Sequence, residues 1–394
     1  MITEKRDIEE FLLARGGPFY ELQQQLGLVR ENAFRTASRA SLFVMLAWGV
    51  PLVLSAVEGN AVGTPAAAPY LLEFAPWARF FIAVGLFMLM EPQVEERIRN
   101  LLAQFVRQPI LAPGAFEAAA KAVTQALKRR DAPLGEAICA ILAILATLIT
   151  LFRLLDADTA SWVVRQSPEG YQLTMAGWWC VVVSNLIFGF LLLRWLWRHT
   201  VLTMLLRDLA SLELRLVVTH PDGHGGLAFI GQYPNAYTTF VFAVSCVIAA
   251  AVAHELLNEG LSLTAYGVIM ALWLLIVLAF FAQGLLPFRK PLSVLKDKTL
   301  QASSAQAIRH HRAVERELLG RNMSAAEDAE SASAAEVSDA SKLFESARKL
   351  PTLLVSRAGL LPVTTAALVP LVIAGATVLP FKEILTIAKR LLLL

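Results

Sequence analysis

Residues 135–154 read GEAICAILAILATLITLFRL, twenty residues whose only charges are Glu136 and Arg153, one near each end. A bilayer's hydrocarbon core is about 30 Å thick, and a helix that crosses it needs about 20 predominantly apolar residues. This stretch can span, and the rest of the chain repeats it. Five further apolar stretches lie at 41–57, 76–91, 176–197, 236–254 and 264–286. The chain has 394 residues, 56% of them hydrophobic, with a mean hydropathy of +0.57. These values lie outside the range of ordinary soluble domains. The expected fold is all-α: a polytopic bundle of six transmembrane helices with cytoplasmic helical extensions and a C-terminal re-entrant hairpin.

The basic residues orient the bundle. Segment 1–40 holds six Lys and Arg, and the loops 92–134 and 194–235 hold seven and four. The alternate loops hold almost none: 58–75 and 255–263 have no basic residue, and 156–175 has Arg165 alone. Basic loops stay in the cytoplasm, so both ends of the six-span unit are expected there. No short apolar run with a small-residue cleavage site opens the chain, and the first span reads as an uncleaved anchor. Cys139, Cys180 and Cys246 lie in or at spans and read as small apolar side chains rather than a disulfide framework.

Between the spans, 1–40 reads as a cytoplasmic helical segment interrupted at Gly16-Gly17-Pro18. The insert 92–134 is helical, broken by Pro109 and Pro113, and ends in Lys128-Arg129-Arg130. That basic run suits anionic headgroups. It lacks the interleaved aromatics of a single-strand nucleic-acid site, so no nucleic acid is expected. A leucine-rich helix over 198–217 leads into a cytoplasmic corner within 198–235. Segment 287–350 is a cytoplasmic helical tail, and its 322–341 stretch has five acids, no Lys or Arg, and the composition of a flexible linker. Residues 351–394 are apolar yet contain Pro362, Pro370 and Pro380 between basic flanks. They are expected to form two short helical arms broken near Pro370, or an amphipathic tail on the membrane surface.

Chemistry is sparse. The corner Thr219-His220-Pro221-Asp222-Gly223-His224-Gly225-Gly226-Leu227 is the most specific string. Pro221 ends one helix, Asp222 can cap the next segment, and Gly225 and Gly226 permit positive φ. Two readings stand: a rigid corner, or a binding or gating site made by His220, Asp222, His224, Gly225 and Gly226. The histidines and the aspartate are metal-ligand types, but their spacing is tight and no second cluster accompanies them, so neither metal nor cofactor is expected. Within the spans, Asn185 is the most notable polar residue, either an interhelical hydrogen bond or a pore contact. Arg79, Glu91, Arg153, Arg194, His254 and Glu255 fall near span ends, where long side chains can snorkel to water. No P-loop, HExxH, GxSxG or dinucleotide glycine pattern is present, and an enzyme is not the expected class.

The corner string, the leucine-rich helix before it and the tail with Pro380-Phe381-Lys382-Glu383-Ile384-Leu385 resemble a set of uncharacterised bacterial multi-pass inner-membrane proteins. That resemblance implies a bacterial inner-membrane location and no particular activity. The expected functions, in order, are a channel-like or passive transporter acting as a homo-oligomer, a membrane-anchored sensor or scaffold with a cytoplasmic protein partner, and a lipid-acting enzyme.

Overall fold

A computed structural model describes residues 2–28, 35–62, 69–155, 161–167, 170–259, 262–325, 340–377 and 379–393. It is an all-α multi-pass membrane bundle. Two short helices, α1 (Ile2–Glu9) and α2 (Pro18–Gln25), precede the first span, α3 (Thr36–Val57). The second span, α4 (Phe74–Leu89), bends by 40° into α5 (Glu91–Arg107), with Pro92 in the first turn after the bend. There the missing N–H of proline costs no helical bond. Helix α6 (Phe116–Asp131) leads to the third span, α7 (Pro133–Leu155). A short hairpin, β1 (Val164–Ser167) with β2 (Gly170–Leu173), precedes the fourth span, α8 (Met175–Ala210).

After the corner, a 3-10 segment (Ile230–Tyr237) feeds the fifth span, α9 (Thr238–Glu259). The sixth, α10 (Leu263–Leu285), continues through a 3-10 turn into the long helix α11 (Arg289–Leu319). Helices α12 (Ala340–Lys349), α13 (Arg357–Gly375) and α14 (Phe381–Leu393) complete the chain. The acidic linker expected over 322–341 lies mostly outside the described residues.

Helix α7, read first from the sequence, is peripheral. Ile141, Ile149 and Phe152 are more than half exposed, a surface suited to acyl chains. The interior is made by α4, α8, α9, α10 and α13, with Phe87, Leu191, Tyr266 and Phe281 buried among them.

The tail departs from expectation in one respect. Two helical arms form, but the break is not at Pro370. Helix α13 runs unbroken through Pro362 and Pro370, and the turn falls after Gly375, before Pro380. At 19 residues, about 28 Å, the first arm is long enough to cross the bilayer. It packs extensively against α9. Proline is tolerated inside a membrane helix where neighbours satisfy the backbone it frees. Pro362 leaves the Ala358 carbonyl without its helical donor, and Asn235 Nδ2 donates to that carbonyl at 3.2 Å. The entry to α13 is glycine-dependent: a Cβ on Gly359 would lie 1.9 Å from the Gly231 carbonyl oxygen. The 3-10 segment and α13 therefore meet backbone against backbone.

Candidate functional site

The helix expected over 198–217 ends at Ala210, and the next helical segment begins at Ile230, so Pro221 and Asp222 lie within an irregular loop rather than at a helix end and a helix cap. Within that loop the side chain of Asp222 is consumed in holding the local shape. Asp222 Oδ1 accepts N–H bonds from His224 at 2.8 Å and Gly226 at 3.1 Å, and Oδ2 accepts from Ala228 at 3.1 Å. His220 Nδ1 lies 2.9 Å from the same carboxylate. Burial works to raise the Asp222 pKa, but the three amide bonds and His220 outweigh it and hold the carboxyl below its ordinary value. Gly225 and Gly226 take φ of +68° and +97°, which only glycine adopts without strain. Among the described residues no group of three His, Cys, Asp or Glu is placed to hold a metal ion. The rigid-corner reading accounts for this geometry.

Asn185 is not part of that site. It is half-buried and opens the regular part of α8, directly after a π-helical turn (Cys180–Ser184). About 38 Å of helix separates it from the end of α8. Its neighbourhood is a polar layer built on a second π-helical turn, Met45–Gly49 of α3. Such a turn shifts carbonyls away from their usual helical donors. Three successive carbonyls here accept side-chain bonds from other elements: Leu46 from Trp179 Nε1 at 2.8 Å, Ala47 from Ser184 Oγ at 2.6 Å, and Trp48 from the Tyr70 hydroxyl at 2.9 Å.

The largest chemical feature lies at the opposite end of the first four spans, the end carrying the basic segments. Each span brings one charge to it. Arg39 starts α3, Glu91 follows α4, Glu136 starts α7, and Arg194 sits in α8. Glu91 Oε2 meets Arg39 Nη1 at 2.5 Å, and its Oε1 lies 3.5 Å from Arg194 Nη1. Arg194 Nε donates to Glu136 Oε1 at 2.8 Å. Arg39, Glu91 and Arg194 are no more than 2% exposed and Glu136 is 6% exposed. The expectation that Glu91 and Arg194 snorkel to water is therefore corrected. Each points inward, because a partner of opposite sign from another span lies nearer than the aqueous phase, and a buried charge needs one.

The N-terminal segment closes over this quartet. Glu136 uses its other oxygen, Oε2, to accept the Phe19 N–H at 2.7 Å. Glu95, one turn beyond Glu91, accepts the N–H groups of Ala14 at 2.8 Å and Arg15 at 3.1 Å, and its Oε1 pairs with Arg15 Nε at 2.9 Å. Gln23 accepts from Arg39 Nε, Arg198 Nη2 donates to the Gly16 carbonyl at 3.3 Å, and Arg130 donates to the Leu12 carbonyl. Phe19 lies under the Arg194 guanidinium at 4.9 Å. Carboxylates from two span ends thus bind the backbone of residues 14–19. The signal in the sequence was one charge at the same end of each of four consecutive spans, in the order plus, minus, minus, plus.

Compared with protein-family models, curated proteins and solved structures, the chain matches none.

Proposed function

We propose that the protein is a passive transporter of ions or small solutes in a bacterial inner membrane, closed on its cytoplasmic side by its own N-terminal segment. The observation that carries this reading is the docking of residues 14–19, through backbone N–H groups, onto Glu95 and Glu136 above a buried ion-pair layer. A segment held only for anchorage needs an apolar contact. One held by Glu136, which also pairs Arg194 of α8, is coupled to how those spans sit. The positive-inside rule assigns this end to the cytoplasm. The π-helical turns of α3 and α8 supply a second polar layer along the same spans. The corner at 219–227 is then a rigid lead-in to the 3-10 segment that feeds α9 and meets α13, not the gate.

Glutamine at both Glu95 and Glu136 tests the reading. It keeps the side-chain shape and weakens each charge-assisted bond to the segment. Purified variant in liposomes should pass small ions faster than the wild type. Equal flux from a variant whose N-terminal segment has become protease-sensitive would defeat the proposal.

A further inference from the structure

Two cavities lie on one seam, between span two with its continuation (α4 and α5), α9 and α13. At the basic end is a polar cavity of about 500 Å³. Gln93, Arg97, Asn100, Gln232, Thr238 and Thr239 face it, and its lining includes one cation and no acid. Arg97 is fixed at its rim by donating to the Asn235 carbonyl. Farther along the same three elements is an apolar groove of about 290 Å³, faced by Trp77, Ile82, Phe242, Ala250, Pro370 and Ile373. The order is the same on every element. On α9 the polar lining ends at Thr239 and the apolar lining begins at Phe242, about 4.5 Å further on. On α13 Pro362 borders the first and Pro370 the second. Helix α4 reaches the groove at Ile82 and α5 reaches the polar cavity at Gln93.

We infer that this seam binds a glycerophospholipid of the adjoining leaflet, with the phosphate beside Arg97 and an acyl chain along the groove. The polar cavity has the donors and positive sign for a phosphodiester. It sits where α9 begins, which is headgroup depth for a span of this length. The groove lines up with it along the direction a lipid chain takes, and its small α9 side chains, Cys246, Ala249, Ala250 and Ala253, leave the width of a chain. This site is separate from the N-terminal closure and does not depend on the gating reading.

The test is native mass spectrometry of the full chain, purified in mild detergent and incubated with phosphatidylglycerol. The wild type should retain lipid, and millimolar inorganic phosphate should not displace it. Arg97→Gln removes the charge-assisted contact and should lower retention about tenfold, with Arg97→Lys recovering part of it. Ala250→Phe fills the groove without touching Arg97 and should lower retention comparably. Wild-type retention by either the Gln or the Phe variant overturns the inference. Displacement by inorganic phosphate also overturns it, because the site would then take the free anion.

Discussion

Replacing Glu91 by leucine strikes the point where the buried quartet is joined. Arg39, Glu91, Arg194 and Glu136 sum to zero charge, and Glu91 touches both arginines, at 2.5 Å and 3.5 Å. Leucine of similar volume leaves a net charge of +1 in a site that is almost fully desolvated. Breaking a buried pair by removing one partner costs about 3–5 kcal/mol. Removing both members of a pair costs far less, since no charge is then orphaned. The double variant Arg39→Met/Glu91→Leu leaves only Arg194 with Glu136, a neutral pair at 2.8 Å. It should be more stable than Glu91→Leu alone by at least about 2 kcal/mol. Equilibrium unfolding in mixed micelles, followed by tryptophan fluorescence for the wild type, both single variants and the double variant, completes the cycle. Additive losses, with the double variant less stable than either single, would refute the claim that these residues act as a paired unit.

Three further outcomes follow from other parts of the molecule. Gly359→Ala forces a Cβ to 1.9 Å from the Gly231 carbonyl, so α13 must shift, at a cost of about 1–3 kcal/mol; unchanged unfolding would contradict the close approach. Asp222→Ala removes the acceptor of three corner amides and should speed hydrogen exchange at His224, Gly226 and Ala228 about tenfold or more. Because the Asp222 pKa is depressed in the folded state, its contribution is complete above its ordinary value of 3.8 and is lost only as pH falls through the lower folded value. The protection of those amides, corrected for intrinsic exchange, should therefore be flat between pH 8 and 5, and a loss within that window would point to a histidine instead. His199→Phe should be neutral or stabilising by about 1 kcal/mol, since the ring already stacks on Phe280 with centroids 3.7 Å apart and Nε2 is buried without a hydrogen-bond partner; marked destabilisation would show that Nε2 has a bonding role.

The spans were legible because crossing a bilayer requires only enough apolar residues in a row, a property that needs no knowledge of neighbours. The corner was legible for a similar reason: Asp222, Gly225 and Gly226 act on backbone within six residues of themselves. The path of α13 was not. The break expected at Pro370 follows from local rules, whereas the bond that helps carry the helix past Pro362 comes from Asn235, 123 residues away from its acceptor. The buried quartet was hidden for a related reason. An Arg or Glu at a span end has the same local sequence whether it reaches for water or for another span, and only packing decides between them. The N-terminal segment reads from the sequence as a cytoplasmic helix, lying on the membrane or packed on the next cytoplasmic element, but its docking depends on backbone N–H groups of Ala14, Arg15 and Phe19, which carry no side-chain signature.

In the proposed transporter, residues 2–25 close a path through the first four spans. Ion flux from liposomes containing the chain without those residues, measured beside the intact chain at matched protein density, tests that closure most directly. The shortened chain should show a clear rise in flux, reversed when the missing segment is added back as a peptide. A shortened chain that remains folded and stays as tight as the intact one would contradict the proposed closure.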